Sequence, residues 1–233
     1  MKNDVSHAPK LAALIFILGA SLVSAFGYVQ HGGIFIQSSK VHGFQNVTLN
    51  SFDDFDRFFS GNGFSVRAWR SGEQLVPRII LTDIPEAWGN EIAPNLAVEK
   101  KKNSFFSIAV PLVLTANEEI QKERRLLSSI SPVEVSSKLE NWLREKAQRY
   151  RVKDFDTVEV LLGKLLRRVD VIPVSIAVAQ MAEESGWGTS RFAAEGNALF
   201  GQWSYKGGMK PRSQRSGKGD YRIKSFESPL DSV

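Results

Sequence analysis

The chain has 233 residues, 42% of them hydrophobic and 24% charged, which excludes a wholly disordered or collagen-like polymer. It has no cysteine, so it has no disulfide framework and no cysteine-based zinc site. The net charge of +5 suits an anionic partner such as nucleic acid, a membrane surface or an acidic polymer.

The three histidines, His7, His31 and His42, all lie near the N-terminus. None sits near an obvious nucleophile, and none has metal-ligand spacing, so no metal and no cofactor is expected. An enzyme of this composition would use carboxylates as its acid and base.

Residues 1–30 read as a signal peptide or an N-terminal membrane anchor. Leu11–Val29 carries no charge and follows Lys2 and Lys10, as a basic n-region precedes an apolar h-region. Val23-Ser24-Ala25 could be cleaved, and the run is also long enough to span a bilayer uncleaved. Both readings send the rest of the chain across a membrane, to the periplasm or cell wall.

Residues 31–102 read as a mixed linking region with some strand and helix. Ser51–Ser60 places Phe52, Phe55, Phe58 and Phe59 at helical spacing, a stripe suited to a core. Val76–Thr82 reads as a strand that Pro77 starts or holds at an edge. Lys100-Lys101-Lys102 reads as a solvated linker.

From residue 103 to 233 the pattern becomes helical. Phe105, Phe106, Ala109, Leu112, Val113, Ala116 and Ile120 recur at spacings of three and four, with Pro111 predicted to kink that helix or mark its first turn. Ser131-Pro132-Val133-Glu134 has the pattern of a capping box opening the next helix. Val158–Val169 is a further helix. No internal repeat is visible.

Pro173 can open another helix, VSIAVAQMAEE, which Gly186 would close as a left-handed cap. Glu183 and Glu184 then fall in the last turn, where the helix dipole is negative and acids are disfavoured. That dipole, a neighbouring carboxylate and apolar surface from Trp187 and Phe200 would favour the protonated form of one glutamate. A protonated carboxyl is what a glycosidase uses to protonate a leaving oxygen. The bland alternative is two exposed acids at a fraying helix end.

Glycines and aromatics concentrate downstream, including Trp187, Phe200, Trp203 and Tyr221, as in a groove that stacks on sugar faces. Lys and Arg dominate Lys206–Lys224, where Asp220 is the one acid, and this stretch reads as an exposed loop or hairpin.

The run AQMAEESGWGTSRFAAEGNALFGQW, Ala179–Trp203, resembles the glucosaminidase domain of glycoside hydrolase family 73, and in particular its bacterial Bax-type branch. The resemblance is carried by Arg168–Pro173, by Glu184-Ser185-Gly186-Trp187-Gly188-Thr189-Ser190 and by Asn197-Ala198-Leu199-Phe200-Gly201. It reaches back to Ser104–Arg124.

The resemblance implies a mainly α, lysozyme-like α+β domain with a small β-hairpin lobe. It implies hydrolysis of the β-1,4 bond after N-acetylglucosamine in peptidoglycan glycan strands, with Glu184 as general acid. Asp231 matches the family's acid before Ser, and Glu227 is a nearby alternative. Trp187, Asn197, Phe200, Trp203 and Tyr221 are the residues expected to contact sugar. The family continues with another helix, so the domain is expected to lack its C-terminal end. A muramidase or lytic transglycosylase using the same glutamate, or an inactive wall-binding module, remains an alternative. Nucleic acid is not an expected partner, because export removes it and no recognition motif is present.

Overall fold

The computed structural model of the chain describes residues 29–31, 34–38, 45–49, 51–61, 65–85 and 87–233. The expected export segment, residues 1–30, lies outside them apart from Val29 and Gln30. Among the described residues, no helix is long and apolar enough to cross a membrane.

The described chain is mainly helical with two small sheets. Strands β1 (Val29–His31), β2 (Ile34–Ser38) and β3 (Gln45–Leu49) form an antiparallel meander. Helices α1 (Phe52–Gly61) and α2 (Val66–Arg70) then carry the chain to β4 (Ile79–Leu81), which pairs parallel to β3. A parallel pair needs such a crossover, whereas an antiparallel pair can close through a tight turn.

The phenylalanine stripe behaves as its spacing predicts. Phe55, Phe58 and Phe59 are buried in α1, with Phe55 and Phe59 ring centroids 4.5 Å apart. After β4 comes a π-helical turn, Trp88–Ile92, and a short 3-10 turn, Ala93–Asn95.

Helix α3 (Val98–Ser129) runs for 32 residues. It includes Lys100-Lys101-Lys102, which the sequence reading took for a linker. Two contacts draw the lysines into the fold: Lys100 pairs with Asp56 at 3.2 Å, and the Lys102 ammonium lies 5.1 Å from the Trp187 ring. Pro111 is buried inside the same helix rather than at its start. Its Phe105, Ile108, Ala109, Leu112 and Val113 are all buried, as the three-and-four spacing requires.

Helix α4 (Ser137–Arg149) begins later than the proposed capping box at Ser131–Glu134. The reason is Ser136, whose hydroxyl accepts the Leu139 N–H at 3.3 Å and so supplies the cap. Helix α5 (Val158–Leu166) follows, capped by Thr157. Helix α6 (Val174–Ser185) and helix α7 (Arg191–Gly196) lead to the second sheet, an antiparallel pair of β5 (Trp203–Ser204) and β6 (Arg222–Ile223). The short α8 (Pro229–Ser232) ends the described chain.

Two apolar cores hold these elements. The first joins Val47, Phe55, Ile79 and Trp88 to Phe105, Leu112, Val178 and Met181. Residues read as a linking region thus share one core with α3 and α6. The second packs Leu127 of α3 against Leu143 of α4 and Leu161 and Leu165 of α5.

Candidate active site

The site is built at the C-terminal end of α6. Gly186 takes the left-handed conformation there, φ 59°, as its place after the acids predicts. The Trp187 N–H donates to the Ala182 carbonyl at 2.8 Å, closing the helix end. Trp187 itself has φ 63°, an uncommon conformation for a bulky residue that the surroundings must hold in place.

Several contacts hold this turn. The buried Ser185 hydroxyl donates to the Met181 carbonyl at 2.6 Å and accepts the Gly188 N–H at 2.8 Å. The Thr189 hydroxyl donates to the Gly186 carbonyl at 2.6 Å. The Trp187 ring meets Phe105 and Phe106 edge-on, at centroid distances of 5.6 and 5.9 Å. From outside the motif, Trp88 Nε1 donates to the Trp187 carbonyl at 3.1 Å. A Cβ on Gly89 would lie 2.5 Å from the Thr189 carbonyl oxygen, so only glycine allows this approach.

Glu183 and Glu184 occupy the last turn of α6, and both are exposed. Trp187 and Phe200 pack against the first core. The acids themselves are not buried, and of the two aromatic rings Trp187 lines a groove that Glu183 also lines. The two glutamates face different surroundings. Glu183 lines an apolar groove of about 790 Å3, whose walls include Trp69, Phe106, Val178 and Trp187. Glu184 does not line that groove. Its Oε2 lies 3.7 Å from where a Cβ on Gly201 would stand, so a glycine segment runs beside this carboxylate.

Beyond Gly201 stands the hairpin. Trp203 is exposed and stacks on Tyr221 at a centroid distance of 4.2 Å and an interplanar angle of 17°. Tyr221 is buried, and the Arg215 guanidinium lies 5.8 Å from the centre of the Trp203 ring. The hairpin packs tightly on α7, where a Cβ on Gly196 would lie 2.6 Å from Met209 Sδ.

Asn197, expected to contact sugar, is buried and its amide is engaged internally. Its Oδ1 accepts the Ile84 N–H at 3.2 Å, and its Nδ2 donates to Asp83 Oδ1 at 3.3 Å and to the Phe226 and Glu227 carbonyls at 3.4 Å. It ties the segment after β4 to the segment after β6. Sequence reasoning missed Asp83 and Trp88 here. Each meets its partner about a hundred positions away, and no local pattern announces such a contact.

Asp231 caps α8. Its Oδ2 accepts from the Ser228 N–H at 3.1 Å and the Ser228 hydroxyl at 2.8 Å, which fixes its orientation. The next residue, Ser232, accepts from Gln202 Nε2 through its carbonyl at 2.8 Å and from the Leu199 N–H through its hydroxyl at 3.4 Å. Asp231 is thus joined through Ser232 to the segment that passes Glu184. Glu227 is exposed, with only its backbone carbonyl held by Asn197. No group of His, Asp and Glu among the described residues could hold a metal ion.

Comparison with known proteins adds to this geometry. Residues 161–233 match the family model Glucosaminidase, described as mannosyl-glycoprotein endo-beta-N-acetylglucosaminidase. Protein bax of Escherichia coli (strain K12) is 37% identical over 114 residues, which cover 46% of this chain and 40% of that protein. The chain therefore spans less than half the length of this curated relative. No solved structure matches. On these matches, residues 161–233 are similar to a glucosaminidase domain, and part of the chain is similar to protein bax.

Proposed function

We propose that this domain hydrolyses the β-1,4 bond after N-acetylglucosamine in peptidoglycan glycan strands, with Glu184 as general acid. The observation that carries the reading is the position of Glu184. Its carboxylate is open to solvent at a rigidly capped helix end, beside Gly201, which offers no side chain. A sugar chain can approach such an acid closely. Trp203, two residues beyond Gly201, is a partly exposed aromatic side chain that a sugar can contact, its ring flanked by Tyr221 and Arg215.

In this mechanism Glu184 protonates the glycosidic oxygen as the bond to it breaks. The positive charge that develops on the sugar needs a second group. Asp231, held by Ser228, is the first candidate and Glu227 the second. The substrate's own acetamido oxygen is the third. The fold is read as lysozyme-like, and the protein as exported, facing the periplasm or cell wall. Leu11–Val29 would anchor it to the membrane if uncleaved.

Digestion of purified sacculi, with mass spectrometry of the product ends, tests the reading. New reducing-end N-acetylglucosamine is expected. Reducing-end N-acetylmuramic acid or 1,6-anhydro products would overturn it in favour of a muramidase or lytic transglycosylase. No new ends at all would leave a wall-binding module.

A further inference from the structure

A second concave site lies at the junction of α4 and α5. It has a volume of about 610 Å3 and is lined by Arg151, Lys153, Lys164, Arg167 and Arg168, with Asp154 as the one acid. Small-molecule sites typically have ~300–1,000 Å3. The chain enters α6 just after it, at the helix end opposite Glu184. The helix alone separates the two by about 18 Å, so this pocket is not part of the candidate active site.

Two of its cations are already fixed in place. Arg168 Nη1 donates to the Tyr150 and Arg151 carbonyls at 2.8 and 2.7 Å. Lys164 Nζ donates to the Lys153 carbonyl at 3.0 Å and to the Asp154 carbonyl. These bonds hold the side chains without cancelling their charge. The side chains of Arg151, Lys153 and Arg167 are exposed, and none of the five cations forms an ion pair among the described residues. In the basic hairpin loop two of the cations are paired. There Lys210 and Arg222 both lie against Asp220, at 3.0 and 3.9 Å.

We infer that this pocket binds a phosphate-bearing ligand, either a free oligophosphate or a phosphorylated lipid headgroup. Cations gathered in one cavity repel each other, and a ligand with several negative charges relieves that repulsion. A phosphate brings up to about two charges and three acceptor oxygens. A lone carboxylate would leave most of the cations unmatched. The arginine forks suit phosphate oxygens, and the two anchored cations reduce the ordering that binding requires.

The test is calorimetric titration of the full chain in neutral detergent micelles. One arm adds inorganic tripolyphosphate, and the other adds phosphatidylglycerol to the micelles. Saturable binding is expected in at least one arm. Arg151→Gln with Arg167→Gln should weaken it by at least about tenfold, the equivalent of one lost charge-assisted hydrogen bond. Lys206→Gln with Lys218→Gln, in the hairpin loop, should leave it unchanged. Among the described residues neither arginine side chain makes a hydrogen bond, so the first variant should fold, and circular dichroism checks this. Response to tripolyphosphate alone assigns a free ligand, and response to the lipid alone assigns a headgroup. No saturable binding in either arm, equal weakening in both variants, or equally tight binding of citrate would overturn the inference.

Discussion

Trp88 and Trp187 are joined by a hydrogen bond of 3.1 Å from the indole of one to the backbone carbonyl of the other. The first lies in the π-helical turn before α3, and the second is in left-handed backbone three residues past Glu184. Trp88 is 2% exposed, so water cannot replace its donor. The bond therefore braces the turn that fixes the end of α6. Trp88→Phe keeps an aromatic ring and removes the N–H. It should destabilise the protein by about 1–3 kcal/mol, the cost of a buried polar group left without its partner. Thermal unfolding followed by circular dichroism measures this as a fall of several degrees. Glycan hydrolysis should fall by more than the loss of folded protein accounts for.

The two adjacent glutamates should respond differently to the same change. Glu184→Gln removes the proposed acid and should lower hydrolysis of glycan strands by about 100- to 10,000-fold. Glu183→Gln alters the wall of the apolar groove and should leave the rate within a few-fold. Initial rates on labelled sacculi compare the two. Equal losses would remove the assignment of Glu184.

Two glycines make opposite predictions. Gly89→Ala places a methyl group 2.5 Å from the Thr189 carbonyl oxygen, with backbone on both sides. It should cost about 1–3 kcal/mol, as overpacking does. Gly163 lies inside α5 with nothing within 4 Å of an added Cβ. Gly163→Ala should stabilise by about 0.5–1 kcal/mol through helix propensity. Denaturant midpoints of the two variants should move in opposite directions from the wild type.

A polar cluster lies within the second core. Lys146 pairs with Glu123 at 2.7 Å, and its ammonium lies 5.2 Å from the Trp142 ring. Burial, and then the charge of Glu123, push the Tyr150 phenol above its ordinary value of 10.0. An unfolded chain loses that phenolic proton near pH 10, while the folded chain keeps it to higher pH. The unfolded state then binds fewer protons, so this contribution to stability is complete below pH 10 and is lost as the pH rises through the folded value. Urea midpoints measured from pH 9 to 11 should fall more steeply for the wild type than for Tyr150→Phe. Lys146→Met leaves Glu123 mostly buried without its partner and should cost about 3 kcal/mol at neutral pH.

The sequence disclosed elements whose cause is local. Gly186 ends α6 because a left-handed residue is needed there, and Phe55, Phe58 and Phe59 of α1 are buried because their spacing fits one helix face. Where two local signals compete, the reading was less secure. Ser131–Glu134 has the pattern of a cap, yet α4 starts at Ser137 and it is the Ser136 hydroxyl that caps it. Three lysines in a row looked like a linker, yet the helix continues through them because Phe105 and Ile108 bury its far side. The place of Glu184 in the last turn of α6 was legible from Gly186 after it. The bracing by Trp88, Gly89 and the Asn197 amide was not, because those contacts join distant parts of the chain.

Helix α3 belongs to both cores. Phe105 to Val113 lie in the first, and Leu127 lies in the second. At 32 residues it spans about 48 Å, long for a protein of this size. Such a rod acts as a shared axle. Neither half can melt without fraying the helix that the other half requires, so amide protons along the middle of α3 should exchange only as slowly as the whole structure opens.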